Sequence, residues 1–301
     1  MKQNAIKLAF GRKQVVALAL ILAISVPGVV AAQTHFNSPE VAVESLVDSM
    51  AVNDKELMRA ILGGGYQQLL PLDDLSHDDM MGFLEAWAKG HRVVMQGDKR
   101  AQLELSNGWV LPIPLVHDAA GWRFDTQAAQ KELLTRRIGR NELAVIDALH
   151  QYVEAQKKYA AQDYDGDGVM EYSQKIVSAP GTQDGLLWVN ENGELVGLVD
   201  PLMDATGLRD GYYGYRFKVL KSQGDAAKGG ALNYLNNGQM TDGFALIAWP
   251  IRYGDSGVMT FIVNQDGQIY ERSLGKNTAA QAKAVTRFNP DASWVPVQST
   301  P

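Results

Sequence analysis

The residues best suited to chemistry lie together in one short stretch, Asp163-Tyr164-Asp165-Gly166-Asp167-Gly168-Val169-Met170-Glu171. Carboxylates at alternate positions of a tight loop can converge on one point. A hard cation such as Ca²⁺ takes six to eight oxygen ligands of this kind. Counted from Asp163, Gly168 sits where a calcium loop turns sharply, but the final position carries Gln174 in place of a bidentate glutamate. Glu171 is the substitute, and the expected metal set is Asp163, Asp165, Asp167 and Glu171 with Ca²⁺ as the ion. Asp and Gly also concentrate in exposed turns for backbone reasons alone.

The second candidate is the basic cluster Arg136, Arg137 and Arg140. Guanidinium groups receive carboxylates or phosphates bidentately, so these three form an expected anion or partner patch. Their alternative use is ion pairing within an acidic chain. The rest offers little for catalysis. Gly254-Asp255-Ser256-Gly257 superficially matches a serine-protease nucleophile string, but no histidine or aspartate accompanies it in a matching context, and a triad is a geometry rather than a string. His35, His77, His91, His117 and His150 show no metal-ligand spacing. Gly63-Gly64-Gly65 and Gly229-Gly230 lack the Lys-Ser/Thr of a phosphate loop. Trp188, Trp249, Tyr212, Tyr213, Tyr215 and Tyr253 enrich the C-terminal half in aromatics, which serve either as core or as a stacking surface.

The elements that must position these residues follow from periodicity. Asn141 is an N-cap candidate, with Glu142 in the first turn where the helix dipole favours negative charge. Val145, Ile146, Leu149, Tyr152, Val153, Gln156, Tyr159 and Ala160 then recur at helical spacing, so a helix ends near Ala161 and feeds the acidic loop. Residues 126–140 are polar and basic and read as the junction between two parts, with the boundary at about residue 130; a helix running through them is the alternative. In the first part, helices are expected at Pro39–Met50, with Val41, Val43, Leu46 and Val47 inward, at Asp54–Leu62, and at Asp78–Lys89, with Met81, Phe83, Leu84 and Trp87 buried. Strand-like runs follow at Arg92–Met95, Ala101–Leu105, Trp109–Pro112 and Trp122–Asp125. In the second part, Gly185–Asn190 and Glu194–Val199 form a hairpin, and Tyr213–Val219 alternates like a half-buried strand. Phe244–Trp249 and Val258–Asn264 are central strands, Thr278–Thr286 is a closing helix, and a proline-containing tail is anchored by Trp294. The fold class is α+β: helices plus an antiparallel sheet over residues 33–130, and a long helix packed on an antiparallel sheet over residues 131–301. The first outline is similar to the NTF2-like cone of sheet around a helix.

Lys2, Lys7, Arg12 and Lys13 precede an apolar run, Val15–Val26, and Val30-Ala31-Ala32 satisfies the small-residue cleavage rule. Residues 1–32 are therefore expected to be a cleaved signal peptide, which leaves no transmembrane segment in the mature chain and places it in the periplasm. The full chain has 28 basic and 34 acidic residues and a net charge of −6; loss of the leader removes four basic residues and takes the balance to −10. Such a chain is poorly suited to nucleic acid. It has no cysteine, hence no disulfide, thiol nucleophile or thiolate metal site.

Longer patterns carry a resemblance. Arg136-Arg137-Ile138-Gly139-Arg140-Asn141-Glu142, Tyr152…Ala155-Gln156…Tyr159, Gly181…Asp184-Gly185-Leu186…Trp188, Gly214-Tyr215…Phe217, Gly243-Phe244-Ala245 and Tyr253-Gly254…Gly257-Val258-Met259-Thr260-Phe261 resemble a bacterial exported family, domain of unknown function 2950. The likeness spans about Phe36 to Trp294. It implies an envelope-associated protein and no particular activity. Residues 141–274 are also similar to the globular heads of type IV pilins and pseudopilins. Here, however, about a hundred residues separate the apolar leader from the helix, so assembly through a continuous hydrophobic stalk is not expected. The functional expectation is a non-catalytic binding or scaffolding module, calcium-stabilised, whose partner is an envelope protein or glycan. The alternative is a periplasmic hydrolase with Asp163, Asp165 or Asp184 at a cleft between the two parts.

Overall fold

A computed structural model describes residues 33–70, 76–203 and 211–298. The expected signal peptide lies outside these residues. Among them, no helix is long and apolar enough to cross a membrane. The fold is α+β, with six α-helices and several antiparallel ladders among the described residues.

Helix α1 (Pro39–Ala51) begins where the sequence signals it: Ser38 Oγ accepts the Val41 N–H, and Pro39 fills the first turn. It buries Ala42, Val43, Leu46, Val47 and Met50; Val41 is 46% exposed and belongs to the opposite face. Asp54 caps α2 (Lys55–Leu62), which stops at Gly63 with φ +86°. A single turn, α3 (Tyr66–Leu69), and α4 (His77–Lys89) follow. Four antiparallel strands, β1 (His91–Met95), β2 (Arg100–Leu105), β3 (Leu115–Asp118) and β4 (Gly121–Phe124), pair in chain order. The strand expected at Trp109–Pro112 is reduced to one bridge, Glu104 to Val110. Pro112 and Pro114 have no N–H to donate to a ladder, so regular pairing resumes only at Leu115. These elements enclose a core that includes Leu46, Met58, Ile61, Leu103, Leu111 and Phe124.

The largest departure from expectation is α5, which is continuous from Thr126 to Tyr159. At 34 residues it is about 50 Å long. Its cap is Asp125, whose carboxylate accepts the Ala128 N–H at 3.0 Å. Asn141 therefore stands inside the helix, and its amide donates to the Ser256 carbonyl at 2.8 Å. The polar run 126–140, which reads as a junction, is instead the solvent-bridging part of a helix with a core near each end. Ala129 is buried in the first core, whereas Val145, Leu149, Tyr152, Val153 and Tyr159 are buried in the second.

The second core sits between the C-terminal half of α5 and a five-stranded antiparallel sheet. The expected hairpin forms as β5 (Leu187–Val189) and β6 (Leu195–Gly197). The main sheet uses β7 (Tyr215–Leu220), with short ladders β8 (Ser222–Gln223) with β9 (Leu232–Asn233), and β10 (Leu235–Asn236) with β11 (Gln239–Met240), on the following excursion. Strands β12 (Ala245–Pro250) and β13 (Thr260–Asn264) are buried at every position, as two apolar runs covered on both faces must be. Strand β14 (Tyr270–Arg272) continues the sheet, and the tail, expected only to be anchored by Trp294, adds an edge strand, β15 (Val295–Pro296). The order is β15-β14-β13-β12-β7. Helix α6 (Thr278–Ala284) covers β12, and Lys218 from β7 donates to the carbonyls of Ala282, Lys283 and Val285 at its C-terminal end.

Candidate functional site

Past the end of α5 the chain folds the acidic loop around Asp163. Its carboxylate accepts the N–H groups of Gly166, Asp167 and Gly168 at 2.8, 3.2 and 2.9 Å. Gly166 and Gly168 take φ of +76° and +88°, which glycine adopts without strain. The turn brings single oxygens of Asp163, Asp165 and Asp167 within 4.8 Å of one another. Hydrogen bonds, foremost from the Gly168 amide, hold the Asp163 carboxyl below its ordinary range. Partial burial and then the Asp167 charge push Asp165 up. Glu171 stands apart from this trio: its Oε2 accepts the Met240 N–H at 2.7 Å, and burial raises its pKa. Three of the four expected ligands thus converge, while the fourth is engaged with β11.

The loop is fastened at its far end by a buried polar knot. Gln156 and Ser173 are 0% and 2% exposed. The Gln156 amide nitrogen donates to the Tyr152 hydroxyl and the Ser173 carbonyl, both at 2.8 Å, and its oxygen accepts the Ser173 N–H at 2.8 Å. Nearby, Asp165, Glu171 and Asp184 line a polar cleft of about 230 Å³ with Tyr159, Lys175 and Lys221. Asp184 is paired to Lys175 and also accepts the Ala179 N–H and the Thr182 hydroxyl. All lining residues of this cleft come from 159–221, on the C-terminal side of α5. The carboxylates named for a hydrolytic cleft between the two parts are therefore not at such a cleft.

The arginine patch does not form as one surface. Successive helical residues diverge by about 100°, whereas i and i+4 share a face. Arg136 pairs with Glu132 at 2.8 Å and donates to the Val110 carbonyl at 2.8 Å, on the side of the first core. Arg137 turns to the second core and pairs with Asp255, which also binds Arg252 at 2.7 Å. Arg140 is exposed, and among the described residues it makes no hydrogen bond or ion pair.

Arg140 instead lines a feature that the sequence does not announce, a cleft of about 590 Å³ between α4, β2, the segment 107–112 and α5. Its walls include Met50, Leu69, Met80, Phe83, Leu105 and Trp109. The cleft exists because α4 is only half-packed. Phe83, Leu84 and Trp87 are partly buried, Met81 is 50% exposed, and no residue of the helix is fully buried. Phe83 meets Trp109 edge-on at 5.9 Å, and Trp109 itself stays 40% exposed.

The remaining candidates are structural. Ser256 is 3% exposed and its hydroxyl donates to the Gly214 carbonyl at 2.8 Å, so the Gly254–Gly257 string is a turn with no free nucleophile. Tyr212, Tyr215 and Trp249 are core residues; Tyr213 and Tyr253 are exposed, so the aromatic set is not one stacking surface. Trp188 is half-buried and packs beside Tyr164.

The family model "Protein of unknown function (DUF2950)" matches residues 33–297. The chain belongs to this family of proteins of unknown function. No curated protein and no solved structure matches it.

Proposed function

We propose that the protein is an exported binding module of the bacterial envelope, with no chemistry of its own, which holds an apolar ligand or partner in the cleft beside α4. The observation that supports this reading is the cleft itself. At about 590 Å³, with mainly apolar walls and polar groups at only a few positions, it has the size and character of a small-ligand site. The leader-like sequence at residues 1–32 supports export to the periplasm, where such a module meets envelope components. The test is titration with a neutral apolar fluorophore, N-phenyl-1-naphthylamine. Saturable enhancement is expected from the chain, and its loss is expected in Ala86→Phe, which fills the cleft, at an unchanged melting temperature. Enhancement that is absent, or equal in both proteins, refutes the proposal.

A second reading concerns calcium. We propose that Ca²⁺ binds the trio Asp163, Asp165 and Asp167, supported by their approach within 4.8 Å. The hydrogen bonds at Asp163 do not preclude a ligand role, since each carboxylate oxygen has more than one acceptor site. Melting should rise by several degrees in millimolar calcium and return on chelation. Asp165→Asn should abolish the rise; no rise in the unaltered chain removes the reading.

A further inference from the structure

The cleft beside α4 carries a charge as well as an apolar wall, and the pairing of the two specifies a class of ligand. We propose that it binds a long-chain fatty acid, with the acyl chain along α4 and the carboxylate on Arg140; this rests on the reading of the cleft as a binding site.

Arg140 is the anchor by elimination among neighbours on the same helix. Arg136 is occupied by Glu132 and the Val110 carbonyl, and Arg137 by Asp255. Arg140, one turn beyond Arg136 on the same side, lines the cleft without a hydrogen bond or ion pair among the described residues. A guanidinium fork matches a carboxylate bidentately. Asp79 and Asn107, the other polar residues of the lining, are hydrogen-bonded within their own turns. Asp79 accepts the Ser76 hydroxyl at 2.7 Å, and the Asn107 side-chain oxygen accepts the Trp109 N–H at 3.0 Å. Asp79, hydrogen-bonded in its own first turn, is the carboxylate of the lining and Arg140 its cation, so a monoanion is received at the arginine.

The apolar wall selects the rest of the molecule. A peptide laid in the cleft would carry an amide every few ångströms. Among the described residues the lining supplies polar groups only at Asp79, Asn107, Arg140 and the Trp109 indole, so most of those amides would be desolvated without partners. An acyl chain has no such groups. It also covers what α4 leaves open: Met80, Phe83 and Ala86 are half-buried and already face the cleft. Binding therefore completes the packing of a helix on which no residue is fully buried.

The experiment uses a fluorescent polyene fatty acid, parinaric acid, and its methyl ester on the purified, delipidated chain, below the concentration at which either self-associates. The acid should bind about tenfold to a hundredfold more tightly than the ester, the range expected for one charge-assisted contact. Arg140→Gln should weaken the acid to the ester's level and leave the ester unchanged. Arg140→Lys should restore part of the preference, and Arg137→Gln should leave it intact. Equal binding of acid and ester, or a preference that survives Arg140→Gln, overturns the proposal. If the neutral fluorophore binds while the acid shows no preference, only the fatty-acid assignment fails. If neither binds, the cleft reading fails with it.

Discussion

Replacing Gln156 with leucine keeps an apolar-compatible volume on the helical stripe and removes three hydrogen bonds at once. The Ser173 N–H, the Ser173 carbonyl and the Tyr152 hydroxyl all lose the partner that the amide supplies at 2.8 Å. Ser173 is 2% exposed and Tyr152 0%, so water does not replace it. An orphaned buried polar group costs roughly 1–3 kcal/mol, and the added apolar contact of leucine offsets part of the sum; the net destabilisation is about 3–5 kcal/mol. For a chain of this size that is a fall in melting temperature of roughly 6–20 °C. Differential scanning calorimetry with urea unfolding measures it. The control is Gln151→Leu, an exposed position five residues earlier on the same helix whose amide bonds only Asp147, where a change within about 0.5 kcal/mol is expected. If Gln156→Leu falls within the control's range, Gln156 is a tolerated polar residue on an apolar stripe, and the claim that it fastens the acidic loop to α5 is wrong.

Glu142→Ala should cost about 3–5 kcal/mol in the same assay, because Oε1 accepts both the Val258 and Met259 N–H groups at 2.8 and 2.9 Å; Glu142→Gln, which keeps an acceptor, should recover more than half. A change below about 1 kcal/mol for the alanine variant would mean that the turn after Ser256 does not depend on α5. Gly257→Ala should destabilise by about 1–3 kcal/mol or prevent folding, since a Cβ there meets the Tyr215 hydroxyl oxygen at 2.1 Å, and that hydroxyl is fixed to the Met259 carbonyl at 2.9 Å. The Tyr215 ring carbons Cζ and Cε2 also lie 2.5 and 2.6 Å from that Cβ, so in a Tyr215→Leu background the added cost of Gly257→Ala should be smaller, and an equal cost would contradict the stated clash. The Ala120 N–H first and the Arg123 guanidinium next bring Asp118 down to about 2 from an ordinary 3.8. Its folded value is depressed, so its stabilising contribution is complete above about pH 4 and lost as pH falls toward 2. Asp118→Asn should flatten the acid limb of the stability–pH curve in that window, and an unchanged limb would show that the carboxylate is not linked to folding.

What was legible in the sequence was mostly what periodicity encodes. The starts of α1 and α2, the stripe from Val145 to Tyr159, the hairpin about Gly193 and the two buried central strands all follow from local rules that the tertiary structure leaves in force. The failures have physical causes. Proline denied Trp109–Pro112 a ladder. Apolar residues thin out to Ala129, Leu133, Leu134 and Ile138 among polar neighbours where α5 crosses between cores, so Asn141 and Glu142 looked like a beginning, although both side chains are spent on tying the helix to residues 256–259. Gln156 reads as a conservative member of an apolar stripe because its partner lies 17 residues away.

The same error about α5 concealed the cleft. Had the helix been started at Asp125, the angular rule would have put Arg136 and Arg140 on one face and Arg137 about 100° away. The three arginines would then have separated into two ties and one group left over. A tie is recognisable only when its partners are known, and those partners, Val110 and Asp255, are 26 and 118 residues distant. Neither the composition of α4 nor the charge of Arg140 is unusual alone. Their meeting across one cleft is a property of the packed chain. It is also the feature that the Arg140 variants perturb without touching the hydrogen bonds and ion pairs that hold the fold.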